Sequence, residues 1–268
     1  MLTHLRIKNF KAWRDTGPIR LAPLTVIFGA NSAGKSSLGH LLLALQQTAR
    51  STDRKRALHL GDSASLIDLG TFEDCLHGHD LQQTLGFELG WRMPKALEVK
   101  DPLQTARRYV GQGMRLAVEL AAGKGAQPEV QALSYGLLFD NKTVLDVEFR
   151  RDAQRRLKLE SQHYDFKMAD GRKWPLEEPE KFYRLSEVTT ARFKNAGFMA
   201  DFALATEAML ARIFHDLRVG SLVPRRVVIG ISPSMPTEDC RCQSVRTTRL
   251  ISGGSVAGSL RPISAAAI

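Results

Sequence analysis

With 268 residues, 43% hydrophobic and 25% charged, the sequence holds enough apolar material for one large packed domain or two small ones. The longest clear apolar run, Leu41 to Leu45, falls far short of a membrane span and the N-terminus lacks a signal-peptide core, so a cytoplasmic protein with no membrane partner is expected. Three cysteines, Cys75, Cys240 and Cys242, fit neither a disulfide framework nor zinc spacing, and the net charge of +10 suits an anionic partner such as nucleic acid and an ordinary solvated surface equally well.

The opening LTHLRIKNFKAW alternates apolar Leu5 and Ile7 with polar neighbours, as a half-buried strand does. TGPIRLAPL reads as a turn, a short strand and another turn. Leu24 to Phe28, apolar and partly β-branched, predicts a strand buried on both faces. From Ser36 to about Arg50 the spacing of Leu38, Leu41, Leu42 and Leu45 predicts a helix with one apolar side. Between them lies the octet GANSAGKS. Gly29 and Gly34 let the backbone curl so that successive N–H groups point at phosphate oxygens, at the positive end of the helix dipole. Lys35 suits the β- and γ-phosphates, and the Ser36 hydroxyl suits Mg²⁺.

After the helix, STDRKR is a solvated link. LIDLGTF predicts a strand or sheet edge, FEDCL a helical turn and TLGFELGW a strand, while residues 95 to 113 hold turn and breaker residues around a short helix. RLAVEL, VQALSYGLLF, KTVLDVEFR and RRLKLES, separated by GKGAQP, DNK and RDAQ, predict an antiparallel meander. Phe198, Phe202, Met209, Ile213, Phe214 and Leu217 lie near helical spacing. Beyond Val219 the chain has no Lys and no aromatic residue, with six Arg against two acids. RVVIGI is a candidate strand there, and the remainder reads as poorly packed.

LRIKNFKAW followed by LTVIFGANSAGKSS resembles the N-terminal half of ABC-class ATPases of the RecF, SMC and OLD-nuclease type. Continuing through LLLALQQT and LIDLGTFEDCLHGHD, it is most similar to bacterial AAA-family ATPases that open this way. The resemblance covers residues 1 to 218. It implies an α/β fold, a P-loop NTPase core with an antiparallel β-lobe and an incomplete C-terminal half, so that residues 1–218 form the N-terminal part of an ATPase domain and 219–268 a poorly ordered or non-native tail. It implies that Gly29, Asn31, Ser32, Gly34, Lys35, Ser36 and Ser37 contact ATP and its Mg²⁺, with Ser36 on the metal. Lys11, just after NF, matches a basic position that reaches the phosphates in related ATPases, although a solvated strand-end lysine explains it equally well. Family members bind two ATP molecules at a homodimer interface and act on DNA or gate a nuclease, in roles such as repair or anti-phage defence.

Hydrolysis needs more than a cradle: an acid to hold Mg²⁺ and a group to orient water, both at the end of a later apolar strand. PLEEPEKF offers Glu177 and Glu178 but follows the polar ADGRKW, which predicts an acidic turn. YGLLFDNK leads apolar residues into Asp140, yet DNK before TVLDVEF predicts a hairpin turn, and Val144 stands where a guanine-binding motif needs Asp. LISGGSVAGS has the letters of the family's signature segment, but only fourteen residues follow Gly254, which predicts a glycine-serine tail. His77 and His79 read as a polar loop rather than metal ligands. Three functions stay open: a DNA-related ATPase when intact, a non-hydrolytic nucleotide-binding interaction module, and a truncated or frame-shifted inactive product.

Overall fold

Period-two burial along Leu2–Phe10 (β1) sets the frame, with Leu5 and Ile7 fully buried and Lys8 exposed beside them. The computed structural model describes residues 1–101, 104, 106–164, 166, 176–186, 188–189, 196–223 and 226–231. The fold is mixed α/β, with few helices and antiparallel sheets. Trp13–Asp15 (β2) folds back on β1, and Ile19–Arg20 (β3) also pairs with it. On its other side β1 pairs with Leu85–Lys100 (β5), which opens the meander of Arg108–Ala122 (β6), Pro128–Phe139 (β7), Lys142–Arg151 (β8) and Leu157–Glu160 (β9). The sheet order is β2-β1-β5-β6-β7-β8-β9. Asp140 and Asn141 link β7 to β8 with φ of 49° and 61°, the two positive values that a two-residue hairpin of matching twist requires.

The expected short helix within 95–113 is not formed among the described residues; strands occupy most of this stretch. Arg92 faces Gly113 and Leu97 faces Gly111, so residues 93–96 bulge out of the ladder. Pro94, which has no N–H to donate, sits in that bulge and does not end the strand.

The first helix, Lys35–Arg50 (α1), buries Leu38, Leu41, Leu42 and Leu45 completely, each worth about 1.5–3 kcal/mol. Its last turns carry buried polar side chains that bond to distant backbone. Gln46 donates to the carbonyls of Phe214 and Leu217, at the end of Ala196–Asp216 (the last helix). Gln47 donates to the His59 carbonyl at 2.7 Å and accepts from the Ile67 amide at 3.1 Å. Thr48 accepts from the His59 amide at 2.8 Å. LIDLGTF is therefore no strand: side chains of α1, and the Leu60 carbonyl facing the Leu69 amide, take its backbone groups instead of a sheet neighbour. Thr71 and Asp74 form a reciprocal capping box on the short helix Phe72–Cys75 (α2), so the last helix is α3.

Leu24–Ile27 (β4) belongs to a second sheet of order β10-β11-β4, in which β10 is Leu217–Val223 and β11 is Arg226–Ile231. The expectation of burial on both faces does not hold. Among the described residues β4 is the outermost strand of this sheet, its described neighbour is the antiparallel β11, and Leu24 and Phe28 are 54% and 41% exposed. The boundary expected at residue 218 falls inside β10. LISGGSVAGS lies outside the described residues.

An aromatic cluster joins the large sheet to α3: Phe182 packs edge-on against Phe87 and Phe214, and Tyr135 against Phe202. The fully buried Tyr135 hydroxyl donates to the Tyr183 carbonyl at 2.9 Å and accepts from the Leu185 amide at 3.2 Å. Removing it in Tyr135→Phe strands both backbone groups, and denaturant unfolding should show a loss of about 1–3 kcal/mol.

Candidate functional site

Between β4 and α1 the chain makes an exposed loop, with Gly29, Asn31, Ser32 and Ser36 open to solvent. Ser32 and Gly34 take positive φ, 62° and 80°, and Gly34 is the residue before the first turn of α1. Among the described residues, the amides of Asn31, Ser32, Gly34, Lys35 and Ser36 meet no acceptor, while Ala33 and Ser37 donate back to Ala30 and Gly34. No side chain caps α1, and no acid lies in its first turn. The helix therefore presents unpaired donors and an uncompensated positive dipole end, the requirements of an anion site. Lys35, largely buried, bends over the loop and donates to the Ala30 carbonyl at 2.5 Å. Ser37 is also largely buried, whereas Ser36 is exposed and its hydroxyl has no partner among the described residues.

The turn between β1 and β2 stands against this loop. Trp13 donates its indole N–H to the Gly34 carbonyl at 2.9 Å. A Cβ on Gly34 would come within 2.8 Å of the Ala12 Cβ and 2.9 Å of the Trp13 nitrogen, so glycine is required both by its φ and by this approach. Lys11 takes φ of 47°, donates its amide to the Cys75 carbonyl at 2.8 Å, and accepts at its carbonyl from His77 Nδ1 at 2.9 Å. Its positive charge adds to burial, the larger cause, in lowering the pKa of His40, on the second turn of α1. Through its neighbours Ala12 and Trp13, Lys11 thus belongs to the turn that stands beside the 29–37 loop.

The other candidates part from the loop. Lys181, in PLEEPEKF, donates from Nζ to the carbonyls of Ala49 and Ser51, at the far end of α1. Sixteen residues of helix place that end about 24 Å from the loop. Glu178 is 66% exposed and pairs with Arg151 at 3.0 Å. Pro175 lies outside the described residues. Asp140 is the hairpin turn already described. His79 bonds the Glu73 carbonyl, and no group of metal-ligating side chains occurs among the described residues. Cys75 is inert, its thiol pushed up to about 11 mainly by burial. β11, the strand beside β4, runs antiparallel to it, so an acid at its end would sit away from the loop. Trp13 and His77 lie in LRIKNFKAW and LIDLGTFEDCLHGHD, segments that carry the resemblance, but the sequence assigns neither a role at this site, and His77 reads as part of a polar loop.

No family model matches the chain, and no curated protein does. No helix among the described residues is long and apolar enough to cross a membrane.

If Lys11 stands by α1, its removal must act on His40. The His40 pKa, followed by NMR, should lie below the ordinary value of about 6.5 and rise in Lys11→Ala, because a repelling cation is gone. No movement would place Lys11 away from the helix.

Proposed function

We propose that this chain binds ATP with Mg²⁺ through residues Gly29 to Ser37 and belongs to the RecF/SMC/OLD-like group of P-loop ATPases, with an ABC-type P-loop core beside its antiparallel lobe. The observation that carries the reading is the set of five amides at the uncapped start of α1 that meet no acceptor among the described residues, one of them on Lys35 itself. Lys35 would exchange the Ala30 carbonyl for phosphate oxygens, the Ser36 hydroxyl would join phosphate oxygens and water around Mg²⁺, and Lys11 would add a second positive charge. The bound metal would neutralise phosphate charge. Its partners would be a second copy across the nucleotide site, DNA and a nuclease, in repair or anti-phage defence. The outer sheet face alternates Arg6, Arg115 and Arg150 with Asp15, Glu88 and Glu148 in ion pairs, so a DNA backbone would not lie there.

A non-hydrolytic nucleotide-binding interaction module is the second reading. The antiparallel course of β11 favours it, because no described strand delivers an acid to the loop.

Calorimetry should show Lys35→Ala binding ATP about ten- to a hundredfold more weakly, the equivalent of roughly 1.5–3 kcal/mol for a charge-assisted contact. Unchanged affinity would remove the assignment. Turnover by the purified chain should be very slow and indifferent to Glu178→Gln; brisk Mg²⁺-dependent hydrolysis abolished by that change would restore PLEEPEKF as the catalytic segment.

A further inference from the structure

We infer that Trp13 is a positioning residue for the phosphate loop, acting through the peptide between Gly34 and Lys35; this rests on the nucleotide reading above. In a trans peptide the C=O and N–H point in opposite directions. The Gly34 carbonyl accepts from Trp13 Nε1 at 2.9 Å and from the Ser37 amide at 3.0 Å, so its direction is fixed. The Lys35 N–H, on the far side of the same peptide, is thereby held away from Trp13, without an acceptor among the described residues and available to an anion. Glycine alone would not hold it, since a residue with φ of 80° and no side chain turns easily, and no capping side chain supplies a substitute.

Trp13 is itself held in place. The turn that precedes it has positive φ at Lys11, as does Asn9 near the end of β1, and both backbone groups of Lys11 are tied to the 75–77 segment, by the Cys75 carbonyl and the His77 ring. A carbonyl only accepts, so His77 carries its proton on Nδ1. The capping box at Thr71 and Asp74 anchors the helix that leads into this segment. A chain of contacts thus runs from α2 through the β1–β2 turn and the indole to one peptide of the loop, and its effect is to aim an N–H group before any ligand arrives. Such pre-aiming lowers the ordering cost of binding.

Trp13→Phe keeps the ring and deletes the donor. The full chain carrying it should bind MgATP about three- to tenfold more weakly by calorimetry, the effect of one lost hydrogen bond. His77→Ala, which frees the turn without touching the loop, should weaken binding in the same direction. A second readout separates positioning from mere stability. In wild-type chain labelled with 5-fluorotryptophan, the resonance assigned to Trp13 by its loss in Trp13→Phe should move on titration with MgATP, while that of the buried Trp91 stays put. Adenosine, which has no phosphate, should leave both unmoved. Wild type that binds no MgATP would overturn the nucleotide reading itself. Wild type that binds, with Trp13→Phe equal to it in affinity and the Trp13 resonance still, would overturn only the role given to Trp13.

Discussion

The contact that the candidate site depends on is the approach of the β1–β2 turn to Gly34, so close that no Cβ fits between them. It joins the large sheet, which supplies Lys11, Ala12 and Trp13, to the smaller sheet and helix that supply the loop. Without it the loop would be a glycine-rich connection free to turn its peptides in several directions. With it, one carbonyl is fixed by two donors and the opposite N–H meets no acceptor among the described residues. The cationic groups follow from the same contact, because Lys11 comes with the turn and Lys35 with the loop.

The loop is also held from behind. α1 begins at the loop and runs through the core, where four leucines are fully buried, to a C-terminal end whose Ala49 and Ser51 carbonyls accept from Lys181. Burial pushes the Lys181 ammonium down from its usual value, while the negative end of the helix dipole favours its charge. Gln46, Gln47 and Thr48 fasten the same end to α3 and to the 59–67 segment. A helix clamped at one end and gripped along its length offers a rigid base, and the freedom that remains lies in the exposed residues from Gly29 to Ala33. Those are the residues that would wrap a phosphate.

Much of this is legible in the periodicity of the sequence. Leu38, Leu41, Leu42 and Leu45 place α1 to within a residue at its start, and the strand-turn-strand rhythm after Arg115 matches the rest of β6 and β7 to β9, with DNK as the turn, of which Lys142 already belongs to β8. Local patterns fail where long-range partners decide. LIDLGTF has a strand's composition, but Gln47 reaches its backbone across twenty residues and takes the place of a neighbouring strand. Residues 95 to 113 read as turns around a short helix, yet β5 and β6 occupy most of that stretch, with a bulge at 93–96. Leu24 to Phe28 reads as a central strand, whereas it lies at the edge of the described sheet. Within the site, the glycines, Lys35 and Ser36 announce themselves by spacing. Trp13 does not, because its role consists of one hydrogen bond to a residue twenty-one positions away.

On the nucleotide reading, the amides at the start of α1 that meet no acceptor among the described residues are aimed at a phosphate. Amide proton and nitrogen shifts recorded by two-dimensional NMR during titration with MgATP test it most directly. The account predicts large, saturable shifts at Asn31, Ser32, Gly34, Lys35 and Ser36, smaller ones at Lys11 and Trp13, and none in the β7–β8 hairpin at Asp140. Shifts centred anywhere else, or no saturable shift in the loop, would contradict it.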